Sequence, residues 1–157
     1  MLGLDIMEDD EGGSDFDDDD WGWVQGKELG RGPLGKVFKG MDENTGELFA
    51  VKSLDERRLG GAMNTAVLDE LASNVMDLSR LSHPNLVRYQ GSFRQPGQAL
   101  YVFMEIVLGG SVHSLTKEFG PLDESVVVVY SRQILAGLAH LHNHGKIHGG
   151  LRSSNVF

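Results

Sequence analysis

Regular alternation of apolar and polar positions is clearest in ELFAVKSL, residues 47–54, where Leu48, Ala50 and Lys52 share one parity and Phe49, Val51 and Ser53 the other. A strand sends successive side chains to opposite faces, so the pattern predicts a strand that carries Lys52 on a sheet face. Upstream, from Trp23 to Lys39, apolar residues come in short bursts around a glycine cluster, which reads as strand, turn, strand. Asp42 to Gly46 (DENTG) holds the turn formers of a hairpin connection. From about Met63 to Leu81 the period changes: Val67, Leu71, Val75 and Leu78 recur at helical spacing and predict one amphipathic face. HisProAsn at 83–85 ends that helix. LVRYQGSF and ALYVFMEIV predict two more strands around a loop with Pro96 and Gly97, and GlyGlySer at 109–111 breaks the pattern. A short helix near Val112 to Lys117 and a long one from about Asp123 to His144 follow. A small sheet with one helix, followed by helices, is an α+β arrangement.

Composition adds two exclusions. The chain has no cysteine, which removes disulfides, thiolate metal sites and cysteine nucleophiles and points to a reducing compartment, cytoplasmic or nuclear. The longest aliphatic run, Val126 to Val129, is far short of the roughly 20 residues that span a bilayer, so membrane insertion is not expected. The net charge of −9 is unevenly spread: residues 1–20 hold ten of the 23 acids and no base. That segment reads as an acidic disordered tail, with folded structure starting near Trp21 or Trp23. Basic residues are scattered without interleaved aromatics, so a nucleic-acid partner is not expected.

The candidate phosphate-handling element is LGRGPLGKV, in which Gly30, Gly32 and Gly35 spell GxGxxG. Glycine lets backbone amides approach phosphate oxygens closely, but the motif alone fits three kinds of site. A Walker loop would use Gly30, Gly35 and Lys36, yet Val37 follows where a hydroxyl is needed for magnesium. Both the Walker loop and the dinucleotide fingerprint lead into a helix, whereas here a strand and a turn follow. A kinase glycine loop expects a hairpin, then a lysine on the next strand for the α- and β-phosphates, and AlaValLys at 50–52 supplies Lys52.

The later segments match in order: HisProAsn with LVRYQGSF, LYVFMEIVLGGS, SLTKEFGPLDESVVVVYSRQILAGLAHLH and KIHGGLRSSNVF. Over residues 21–157 the chain resembles the protein kinases, and within them the MAP kinase kinase kinase branch. That resemblance implies an N-lobe over 21–104, a hinge over 105–111 and the first part of a C-lobe over 112–157. It implies ATP and magnesium as cofactors. Adenine would lie between Leu29, Val37 and Ala50 on one side and Phe157 on the other, with Met104 as gatekeeper. Backbone groups of Glu105 and Val107 would meet the base edge, Ser111 would sit near the ribose, and Asn155 would bind magnesium. Other proteins of a kinase cascade are the implied partners.

Against that pattern four positions depart. HisGlyGly at 148–150 places Gly150 where the catalytic base belongs, which implies a loss of about 10²- to 10⁴-fold. Asn74 stands where a helix glutamate should pair with Lys52; Glu70, one turn earlier, could serve as a displaced partner. Pro33 removes an amide hydrogen from the loop tip. The sequence also reaches Phe157 before any AspPheGly, so the second magnesium ligand is not found, and Arg152 replaces the usual lysine three residues before Asn155. The expectation is a kinase-like ATP-pocket fragment that is catalytically impaired. The competing reading is a serine/threonine kinase seen here in part, and a third is a fragment that does not fold stably.

Two further signals remain. The apolar stripe Val126, Val127, Tyr130, Ile134, Leu135, Leu138 and Leu141 of the helix over 123–144 suggests self-association. His140 and His144 share a helix face at metal-ligand spacing, but no acidic or cysteine ligand lies close in sequence, so a structural role is favoured.

Overall fold

A computed structural model describes residues 22–32, 35–55, 65–95 and 99–157. The expected acidic tail, Pro33 and the Pro96–Gly97 loop lie outside the described residues. Five strands form one antiparallel sheet: β1 (Trp23–Gly32), β2 (Gly35–Asp42), β3 (Leu48–Asp55), β4 (Tyr89–Gln95) and β5 (Ala99–Glu105), in the order β1-β2-β3-β5-β4. Helix α1 (Thr65–Ser79) intervenes between β3 and β4, and α2 (Val112–Phe119) and α3 (Glu124–Asn143) follow the sheet. A short 3-10 turn at Ser153–Asn155 comes last.

The β2–β3 turn is built by its own side chains. Asp42 Oδ1 accepts the amides of Asn44 and Thr45, both at 2.8 Å, and Gly46 takes a φ of +73° that a side chain would resist. The alternation of β3 then decides the two faces of the sheet. Phe49 and Val51 join Phe103 in a buried cluster with Trp23, Phe93 and Tyr101 packed against it, while Leu54 joins Leu100, Val102, Leu68 and Val75. Trp23 meets the Phe103 ring edge-on at 5.7 Å between centroids, a favoured aromatic geometry.

Helix α1 covers the second face, with Val75 buried, Leu71 packed beside it and Leu78 half-buried, as its spacing suggested. At the first turn Leu68 is buried and Val67 is exposed, since both positions have apolar neighbours at helical spacing. Arg94 of β4 reaches across to Asp69 of α1 at 2.5 Å.

The described residues divide into two compact units. One contains the sheet and α1, with Arg88–Ile106; the other contains Ser82–Val87 and Val107–Phe157. Segment 82–87 packs closely on α3 at Gly137, where a Cβ would stand 3.0 Å from the Asn85 carbonyl oxygen. Helix α3 ends in a Schellman arrangement: Gly145, at φ +67°, donates to His142 and Lys146 donates to Leu141. Among the described residues no helix is long and apolar enough to cross a membrane.

Candidate functional site

The first unit gathers most of the residues selected from sequence. Strand register sets Gly30 opposite Val37 and Val37 opposite Lys52, while Ala50 pairs with Met104. Paired residues point to the same face, so Gly30, Val37, Ala50, Lys52 and Met104 share one surface of the sheet. Leu29 is the extra residue of a β-bulge between the pairs Glu28–Phe38 and Gly30–Val37, and it is exposed.

The three glycines of the loop differ in kind. A Cβ on Gly35 would collide with the Ser53 carbonyl oxygen, so this glycine is required by the β2–β3 contact. Gly30 has nothing within 4 Å of that position, and Gly32 only the Gly35 carbonyl at 3.8 Å. Open space therefore lies beside Gly30 and Gly32, where the fold itself makes no demand for glycine.

Lys52 is half-buried, and burial lowers its pKa below the ordinary value of 10.5. Among the described residues no carboxylate forms an ion pair with it. Asn74 is exposed and neutral, and Glu70, the proposed displaced partner, is exposed and makes no bridge to Lys52. A partly desolvated cation without a counter-ion is costly to the free protein and attractive to an anion.

Sequence reasoning missed two carboxylates. Glu28 bridges Arg31 at 3.3 Å and Lys36 at 3.2 Å, and the Arg31 guanidinium, followed by the Lys36 ammonium, holds its carboxyl below the usual range. Arg31 and Lys36 face each other across β1 and β2, so Glu28 offsets the repulsion of two opposed cations. Glu105 Oε1 accepts the Arg88 amide at 2.8 Å while the Glu105 amide donates to the Arg88 carbonyl at 2.9 Å. The spacing of 17 residues between those partners gave no local signal of this contact.

The second unit holds the remaining candidates. Val107 is exposed; Gly109 and Gly110 follow with φ of +104° and +81°. Ser111 is buried and its hydroxyl caps α2, accepting the Ser114 amide at 3.3 Å. Gly149 has a φ of +67°, His148 Nδ1 accepts the Gly150 amide at 3.2 Å, and Asn155 Nδ2 donates to the Gly150 carbonyl at 2.7 Å. Gly150 thus sits in an ordered turn with no side chain to accept a proton. Asn155, Arg152 and Phe157 are exposed. A cavity of about 270 Å³ lies among Val112, Leu122, Val127, Tyr130, Ile134 and Val156, on the apolar face of α3.

His140 stacks against His83 at 5.0 Å and against His144 at 4.5 Å between ring centroids, and its Nε2 is buried without a partner. Desolvation, then the neighbouring His144 and His83, lower its pKa below 6.5. Among the described residues no group of three or more His, Asp or Glu could hold a metal ion.

Residues 23–157 match the family described as protein kinase domain. The chain is 43% identical over 136 residues to mitogen-activated protein kinase kinase kinase ANP1 of Arabidopsis thaliana, covering 85% of this chain and 20% of that protein. It is 36% identical over 138 residues to MAP kinase kinase kinase mkh1 of Schizosaccharomyces pombe, covering 85% of this chain and 12% of that one. Among solved structures, Rad53 1-466 in complex with AMP-PNP superposes with a TM-score of 0.73 at 28% identity, over 87% of this chain and 34% of the other. The chain therefore spans about a fifth or less of the length of these two curated relatives.

Proposed function

Because the chain belongs to the protein kinase family, we propose that it is a kinase-type nucleotide-binding domain that holds ATP, transfers phosphate poorly, and acts by engaging other proteins of a MAP kinase type cascade. The observation that carries the binding half is Lys52: a half-buried cation with no counter-ion among the described residues, in one row with Gly30 and Val37. An anionic ligand would supply the missing charge, and the open space beside Gly30 and Gly32 leaves room for its phosphates. The neighbouring Rad53 structure contains AMP-PNP, a nucleoside triphosphate analogue, which supports the same ligand class. The relatives' names support the cascade.

Poor transfer rests on Gly150. Deprotonating a hydroxyl requires a base within hydrogen-bond reach, and this turn offers only main-chain groups and the His148 ring, whose Nδ1 already accepts the Gly150 amide. The described residues do not fit a resident magnesium site: Asn155 supplies one neutral oxygen, short of the one or two carboxylates that magnesium takes.

The exposed apolar face of α3, with Leu135 at 64% exposure beside the cavity at Val127 and Ile134, is the proposed surface for self-association. Sedimentation of the purified chain over a concentration range tests it, since a monomer throughout would remove the idea.

The test of the main reading is thermal unfolding of the chain with and without ATP, beside Lys52→Met and a labelled γ-phosphate transfer assay. A transition raised by ATP in the wild type only, with no transfer above background, is the expected result. Brisk transfer would restore the serine/threonine kinase reading, and no response to ATP would leave only a protein-binding role.

A further inference from the structure

We infer that the Lys52 surface takes its nucleotide as the free polyphosphate anion, and that magnesium weakens this binding instead of assisting it. The inference rests on the nucleotide reading above.

Charge on the sheet unit is sorted by strand parity. Val37 pairs with Lys52 and Lys39 with Ala50, and Ala50 pairs in turn with Met104, so two lysines stand on the surface that carries Gly30. The strand carboxylates Glu28, Asp42 and Glu105 fall on the other parity. Glu28 pairs with Phe38, Asp42 with Trp23 and Glu105 with Phe49, and Trp23 and Phe49 belong to the aromatic cluster of the opposite face. Each of these acids is also engaged already: Glu28 by Arg31 and Lys36, Asp42 by the amides of its turn, and Glu105 by the Arg88 amide. On α1, Asp69 holds Arg94, and Glu70 is exposed and makes no bridge to Lys52.

A protein holds magnesium through one or two carboxylates together with the phosphates of the ligand. Among its described residues this surface offers lysines instead, so a magnesium ion arriving on the triphosphate gains no protein ligand there. It also weakens the attraction, because a divalent cation on the phosphates cancels part of the charge that Lys52 would meet. A half-buried ammonium with no counter-ion among the described residues gains most from the ligand that brings the most negative charge. The helical unit, taken by itself, offers magnesium no better: residues 145–157 contain no acid, and Asn155 gives its side-chain N–H to the Gly150 carbonyl.

The experiment is calorimetric titration of the whole chain with ATP, once in excess EDTA and once in excess magnesium chloride. Ionic strength is held equal with sodium chloride, because screening alone weakens such a contact. The wild type is expected to bind ATP about tenfold more weakly in magnesium, the effect of one charge-assisted hydrogen bond. Lys52→Arg should keep that ratio, since it keeps the charge, and Lys52→Met should bind in neither buffer. Equal or tighter binding by the wild type in magnesium would overturn the inference while leaving the nucleotide site standing. So would a magnesium penalty that persists in Lys52→Met, since the responsible charge would then lie elsewhere. Failure of the wild type to bind ATP in either buffer would overturn both.

Discussion

The two compact units of this chain handle their apolar residues in opposite ways. In the sheet unit, Phe49, Val51, Leu68, Leu100 and Phe103 are all but fully buried, and both faces of the inner strands are covered. In the helical unit only Leu141 is a buried large side chain, while Leu108, Phe119, Leu135, Ile147 and Phe157 are all more than half exposed, Leu108 at 83%. A five-stranded sheet with a helix across it closes a core from its own residues. Two helices and a loop do not, and their apolar side chains stay exposed.

Substitution should expose that inequality. Leu100→Ala removes a fully buried side chain from the α1-facing core and is expected to cost about 2–5 kcal/mol, against less than about 0.5 kcal/mol for Leu135→Ala on α3. Urea unfolding of the two variants measures both; equal losses would break the comparison. Next in size is Gly35→Ala, expected to cost about 1–3 kcal/mol because the new methyl meets the Ser53 carbonyl. Gly30→Ala should leave stability within about 0.5 kcal/mol, so that any effect it has falls on ATP affinity.

Charge provides two finer tests. Burial depresses the Lys52 pKa, so the unfolded chain binds more protons below the ordinary value of 10.5 and stability rises as pH climbs towards it. Lys52→Met should raise the melting temperature of the free protein, abolish that alkaline rise and remove the response to ATP. In the helical unit the His140 pKa is also depressed, with His83 and His144 facing it, so stability falls as pH drops below about 6.5. His140→Phe should flatten the decline between pH 7 and pH 5 in thermal melts, the smallest effect of the set.

Much of this was legible in the chain itself. Helical spacing located the three helices, alternation located β3, and apolar bursts between turn formers such as Asp42–Gly46 located the other four strands. Strand parity also placed Lys52 on the face opposite Phe49 and Val51, as found. In α1 the face was read correctly at Leu71 and Val75 and missed at its first turn, where Leu68 and not Val67 is buried. What periodicity could not reveal were contacts made across long separations or by side chains that replace backbone: Glu105 on Arg88, Glu28 between two cations, and the packing need of Gly35. Ser111, assigned to a ribose by resemblance, is seen capping α2.

Hydrogen exchange of the whole chain with and without ATP tests the central claim most directly, because it reads the site and both units at once. The account predicts slower exchange at Gly30, Gly32 and Val37 on ATP addition, lost in Lys52→Met, with the amides of α3 unchanged. Exchange at those residues that ignores ATP, or that responds equally in Lys52→Met, would contradict it.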